Sequence, residues 1–123
     1  MQQWYKSKVF RGDQSGRTIN FPTVNLSIDS IDQQMKQGVY ASIVKYEEKL
    51  YKGALYFGPR LVVGETKLVL EIYILDFQKE IYGETIEFQI KDFSRGVQNF
   101  DSFEAMKAQL QEDVNKINML PLI

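Results

Sequence analysis

Apolar and polar side chains alternate through the middle of this chain, and a helical period replaces that alternation only near the C-terminus. Aromatic and β-branched residues alternate with small or polar ones along Val39–Tyr46 and again along Leu50–Tyr56, with Glu47-Glu48 between the two runs. The pattern predicts a β-hairpin whose tip, Lys45, Glu47, Glu48 and Lys49, is solvated. Leu68–Leu75 is a second strongly β-prone run, Asp76–Glu80 reads as a turn, and Gly83 after Tyr82 suits another. Thr85–Ile90 then alternates cleanly, with Ile86, Phe88 and Ile90 expected inward and Glu87, Gln89 and Lys91 toward water. Phe103, Met106, Leu110, Val114 and Ile117 recur at three- and four-residue steps, the mark of an amphipathic helix. Its start is either Asp101, with Glu104 completing a capping box, or Ser102. Several short strands followed by one terminal helix point to a closed or nearly closed antiparallel barrel, with the helix expected as a lid on a barrel end.

Length agrees with a single domain over 1–123, enough chain for a core without staples. The 44% hydrophobic and 25% charged fractions are those of an ordinary soluble globular protein. No apolar run reaches membrane-spanning length, so a cytoplasmic location is expected. Zero cysteines exclude a disulfide framework, a thiolate nucleophile and a Cys-based zinc site within this sequence. Zero histidines remove the usual general base and transition-metal ligand as well. Catalysis, if present, falls to carboxylates, Lys, Tyr or a hard metal ion. A formal charge of −1 offers no basic footprint for nucleic acid, so none is expected as a partner.

Two features carry candidate chemistry. The first is Gly12-Asp13-Gln14-Ser15-Gly16-Arg17-Thr18-Ile19-Asn20-Phe21-Pro22-Thr23-Val24-Asn25. Glycine-bearing loops present backbone N–H groups to phosphate oxygens. Thr23 and Asn25 are neutral oxygen donors suited to a hard cation such as Mg²⁺. Two apart on an extended segment, they point the same way, and Pro22 stiffens the approach by biasing Phe21 toward extended geometry. An ordinary glycine loop before a strand explains the same residues. The second feature is Glu71, a charge inside an apolar strand, on the face shared by Val69, Tyr73 and Leu75. It fits the solvent face of an edge strand, an ion pair with Arg17, Arg60 or Arg95, or a partly desolvated general base. The tyrosines Tyr5, Tyr40, Tyr46, Tyr51 and Tyr56, with Trp4, read as core and cross-strand pairs.

In this order the pieces resemble the riboflavin kinase family. They are Gly12…Gly16-Arg17…Phe21-Pro22-Thr23-x-Asn25, Gly38-Val39-Tyr40-Ala41, Tyr51-x-Gly53, Glu71-x-x-Ile74-Leu75-Asp76-Phe77, Tyr82-Gly83 and Phe93-x-Arg95…Asn99-Phe100-x-Ser102, closing with a helix ending in Asp113. The resemblance implies a mainly β fold, a six-stranded antiparallel Greek-key β-barrel with a C-terminal α-helix. It implies phosphorylation of riboflavin at its 5′-hydroxyl by Mg-ATP, giving FMN and ADP. Gly12, Gly16, Arg17 and Thr18 match a flap over ATP, and Thr23 and Asn25 match the family's Mg²⁺ pair. Glu71 matches the catalytic base, and Ile74, Asp76 and Tyr82 match positions lining the adenine nucleotide site. Arg95 and Gln98 match contacts to the flavin. Asn20 stands where the family usually has glycine, Tyr73 replaces a common histidine, and the loop Gly58–Glu65 differs from the family's. Bacterial members usually carry an upstream adenylyltransferase module with no counterpart in these residues, so FAD synthesis is not expected. A monomer acting on riboflavin and ATP is the resulting expectation. The alternatives are a barrel that binds flavin or nucleotide without turnover, and a small barrel that binds protein or nucleic acid.

Overall fold

The computed structural model describes residues 3–11, 23–59 and 67–123. Six strands form one antiparallel sheet in the order β1-β6-β3-β4-β5-β2: β1 (Tyr5–Lys8), β2 (Val24–Leu26), β3 (Gly38–Tyr46), β4 (Lys49–Pro59), β5 (Leu68–Ile74) and β6 (Thr85–Gly96). The meander β3-β4-β5, with β6 returning to pair beside β3, is a Greek key. The chain just beyond β1 closes the ring, since Phe10 N–H donates to the Asn25 carbonyl at 2.8 Å and Ser27 N–H donates to Ser7 Oγ at 3.0 Å. The expected six-stranded barrel is therefore the observed fold, closed beside Asn25.

Alternation decides what lies inside. Tyr40, Val44 and Tyr46 of β3, Leu55 and Phe57 of β4, Leu70, Ile72 and Ile74 of β5, and Ile86 and Phe88 of β6 form one buried core. Burying side chains of this size stabilises by about 1.5–3 kcal/mol each. The tyrosines pair across strands as expected, Tyr5 stacking on Phe88 at 5.6 Å and Tyr40 meeting Phe93 edge-on at 5.2 Å. Two of the strands, β1 and β2, are too short for the alternation to reveal, and β6 runs on to Gly96, six residues beyond its regular stretch.

The helix α1 (Phe103–Asn118) starts at Ser102, whose Oγ accepts from Ala105 N–H at 3.1 Å, and it continues past Asp113 to Asn118. It does not cap a barrel end. Ile117 packs with the outward residues Val39 and Ala41 of β3 and with Ala54 and Tyr56 of β4, and Met106 packs with Tyr73. The helix thus lies on the side wall, because the outer faces of β3, β4 and β5 carry apolar residues that need cover. Phe103 falls off the buried stripe and is half exposed.

The β3–β4 tip is strained in a correctable way. Glu47 (φ 48°) and Glu48 (φ 67°) both adopt left-handed backbone, the geometry of a two-residue hairpin turn that favours Asn-Gly. The Glu47–Lys79 ion pair at 3.6 Å joins two well-exposed side chains and contributes little. Replacing Glu47-Glu48 by Asn-Gly is expected to stabilise the fold by about 1 kcal/mol, read as a higher urea midpoint at unchanged slope.

Candidate functional site on the outer wall of the barrel

Glu71 stands at the centre of β5, opposite Asn25 of β2 on one side and Tyr56 of β4 on the other. Tyr56 in turn faces Val39 of β3, which faces Arg95 of β6. Residues directly opposite in antiparallel strands share a sheet face. Asn25, Glu71, Tyr56, Val39 and Arg95 therefore form one continuous row across five strands, on the outside of the barrel. Leu70 and Ile72, the neighbours of Glu71 in sequence, point into the core. The carboxylate is half-buried on the outer wall and neither stands on an edge strand nor enters the core.

Thr23 precedes Asn25 by two residues and shares its direction. Its Oγ1 donates to Glu71 Oε1 at 2.6 Å, which pins the carboxylate in one orientation. The two hard-oxygen residues of the loop end and the unusual carboxylate, 48 residues apart in sequence, thus meet at one place. No group of three or more His, Cys, Asp or Glu suited to a metal exists among the described residues. Thr23 and Asn25 with Glu71 fit a hard divalent cation that draws its remaining ligands from elsewhere, as Mg²⁺ does when it binds together with phosphates.

At the other end of the row, Arg95 does not pair with Glu71. Its Nε and one terminal nitrogen donate to the two oxygens of Asp113 at 2.9 and 2.8 Å, and the other terminal nitrogen donates to the Gly96 carbonyl at 3.0 Å. Gln109 adds a bond to Asp113 Oδ1 at 3.1 Å. Asp113 is 3% exposed and the Arg95 side chain 13%, so the pair is desolvated and ties α1 to β6. Two bulges bring Arg95 opposite Val39. The register shifts once from Ser42 opposite Ile90 to Tyr40 opposite Phe93 and again to Val39 opposite Arg95, and the two extra residues of β6 together leave Arg95 on the outer face. Gly38 is required here, because a Cβ on it would lie 2.1 Å from the Arg95 carbonyl.

Tyr56 fills the row between these ends. Its hydroxyl donates to the Pro59 carbonyl, and its ring lies over Gly58, where a Cβ would sit 2.8 Å from the phenol oxygen and 3.2 Å from Val97. Burial pushes the phenol up to about 12, the charge of Glu71 adds to the rise, and Arg95 opposes it.

The remaining predicted residues are dispersed. Ile74 belongs to the barrel core, Asp76 is exposed with left-handed backbone (φ 59°) after β5, and Gln98 is exposed after β6. Tyr82 is half-buried, with the Arg11 guanidinium 4.6 Å over its ring, at the root of the segment that begins with Gly12. Gly12, Gly16, Arg17 and Thr18 lie outside the described residues, as do Asn20 and Arg60 through Glu65. Sequence reasoning gave no site role to Tyr56 or to Asp113. Asp113 had a signal, a charge on the apolar stripe of the helix beside Val114, the same anomaly that marked Glu71. Tyr56 had none, since its alternation is that of any strand tyrosine.

Fold and site together define a class: an antiparallel Greek-key barrel bearing a carboxylate centre on its outer wall, flanked by one terminal helix. The chain belongs to the riboflavin kinase family, whose sequence model matches residues 2–120. It is 37% identical over 109 residues to a bifunctional riboflavin kinase/FMN adenylyltransferase of Listeria monocytogenes, covering 88% of this chain and 35% of that protein. It is 33% identical over 108 residues to the RNA-binding riboflavin kinase RibR of Bacillus subtilis, covering 87% of this chain and 46% of that protein. The chain thus spans between a third and a half of these relatives' length. Among solved structures, a Streptococcus pneumoniae chain described as a macrolide-efflux protein superposes with a TM-score of 0.83 at 28% identity, over 97% of this chain and 39% of that one. Riboflavin kinase from Trypanosoma brucei shares the fold, with a TM-score of 0.64 at 24% identity, over 94% of this chain and 76% of that one. No helix among the described residues is long and apolar enough to cross a membrane.

Two outcomes follow from the buried groups. Asp113→Ala strands the Arg95 guanidinium and is expected to destabilise by about 3–5 kcal/mol, whereas Arg95→Met with Asp113→Leu should recover most of that loss; denaturant unfolding measures both. The Tyr56 phenolate is disfavoured in the folded state, so its stabilising effect is whole below the ordinary phenol value of 10.0 and is lost as pH rises toward 12. Over that window the wild type should lose more stability than Tyr56→Phe, and their difference in absorbance at 295 nm should titrate near pH 12.

Proposed function

We propose that this chain transfers the γ-phosphoryl group of ATP to the 5′-hydroxyl of riboflavin, giving FMN and ADP. The observation that carries the reading is the Thr23–Glu71 bond beside Asn25, a pinned carboxylate next to two hard oxygen ligands, in a chain of the riboflavin kinase family. Bound with the nucleotide, Mg²⁺ supplies neutralisation of phosphate charge, and Thr23 and Asn25 are the residues to hold it. Glu71 accepts the proton of the 5′-hydroxyl as its oxygen bonds to the γ-phosphorus and the bond from that phosphorus to the bridging oxygen of ADP breaks. Thr23 holds the carboxylate toward that proton, a task needing neither His nor Cys. Gly12, Gly16, Arg17 and Thr18 close over the phosphates, with Ile74, Asp76 and Tyr82 toward the adenine nucleotide and Arg95 and Gln98 toward the flavin. The buried Arg95–Asp113 pair supports the flavin assignment by holding the guanidinium in one direction. A monomer working in the cytoplasm completes the reading.

Incubating the protein with riboflavin, ATP and Mg²⁺ and separating the flavins by chromatography tests it. FMN is expected with metal and not with EDTA. Glu71→Gln should lower kcat about 10²–10⁴-fold, the usual size of general-base assistance, with the KM for ATP little changed. Near-normal turnover by that variant would remove Glu71 from the base role. Riboflavin binding without FMN would leave a barrel that binds flavin without turnover.

A further inference from the structure

Arg95 and Glu71 lie three strand spacings apart along the row, roughly 14 Å at the usual spacing between strands. A substrate held by its ring system near Arg95 and Gln98, and reacting beside Glu71, must cross what lies between. Among the described residues of the row, Val39 and Tyr56 lie between Arg95 and Glu71, and Val39, 3% exposed, is sealed beneath Ile117. Tyr56 is partly buried beside that same cluster of Val39 and Ile117, and its phenol lies near Val97, the residue before Gln98. The proton of that phenol is committed to the Pro59 carbonyl, which fixes the ring and leaves the lone pairs of the oxygen as acceptors. Gly58 leaves room for this posture, since any side chain there would collide with the phenol.

We infer that Tyr56 is the acceptor-side specificity residue of the site: its ring is the floor under the polyol arm of the flavin, and its oxygen accepts a hydrogen bond from a hydroxyl of that arm. This rests on the riboflavin kinase reading above. Because the phenol keeps its proton well beyond neutral pH, Tyr56 takes no part as a base; it selects and orients, and the proton is left to Glu71.

The discriminating pair of ligands is riboflavin and lumiflavin, which shares the ring system but has a methyl group in place of the polyol arm. Binding of each to wild type, Tyr56→Phe and Tyr56→Ala is followed by quenching of flavin fluorescence, with circular dichroism establishing that each variant is folded. Tyr56→Phe should weaken riboflavin binding about 5-fold, the size of one neutral hydrogen bond, and leave lumiflavin binding unchanged. Tyr56→Ala should weaken riboflavin further by removing the floor. In turnover, Tyr56→Phe should raise the KM for riboflavin more than it lowers kcat, with the KM for ATP unmoved. Equal losses for the two flavins, or no loss for either, would overturn the inference. FMN formation by the wild type, assayed in the same preparations, separates the failures. A wild type that makes FMN while Tyr56→Phe binds riboflavin normally sinks this inference alone. A wild type that binds riboflavin and makes no FMN sinks the kinase reading, and the flavin pair still decides the role of Tyr56. A wild type that binds neither flavin sinks both.

Discussion

The register of β5 between β2 and β4 is the constraint on which the site depends. Glu71 is flanked in sequence by Leu70 and Ile72, which are fully buried. A slip of one residue would carry the carboxylate into the barrel and bring those two to the surface. The cost of burying an unpaired charge, added to the loss of the Leu70–Ile72–Ile74 core, holds the strand in place. That same register sets Asn25 and Tyr56 on either side of Glu71 and brings Thr23 within a short hydrogen bond. The core thus positions the chemistry from the opposite face of one strand, and no side chain of the row has to be placed by a loop of its own.

A second layer of control comes from α1. The helix covers Val39 and packs beside the partly buried Tyr56 and Arg95 on either side of it. The Arg95–Asp113 pair gives the helix a fixed anchor in a dry place, where geometry is worth more than on the surface. The two bulges in β6 set Arg95 opposite Val39, and the absent side chain at Gly38 serves the same end, since with one there the backbone that carries Arg95 would be pushed away. Asp113, the bulges of β6 and Gly38 therefore all serve the direction of one guanidinium.

Much of this was legible beforehand, and for a physical reason. A barrel with one buried face writes its interior as a period of two, so β3, β4, β5 and the first half of β6 stand out, as does the period of the helix. The three-residue β2 and four-residue β1 are too short to carry a period, and they form because longer neighbours and the Phe10–Asn25 closure supply partners. Glu71 was visible as a charge in an apolar run, and Thr23 and Asn25 as oxygen donors two apart. Asp113 carried the same kind of anomaly within the helix. The expectation of a lid at the barrel end failed because periodicity reports that a helix has an apolar face, not which surface meets it.

By itself the sequence determined the kinds of chemistry open to the protein, the family and the candidates for the centre of the site, since residue type and alternation along the chain are local properties. Only the tertiary structure decided that Glu71 meets Thr23 instead of Arg95, that Arg95 is claimed by Asp113, and that Tyr56 stands between the two ends of the row. These pairings join segments 18 to 48 residues apart in sequence. They depend on strand register, on the two bulges of β6 and on where the helix docks, and those follow from the packing of the whole barrel.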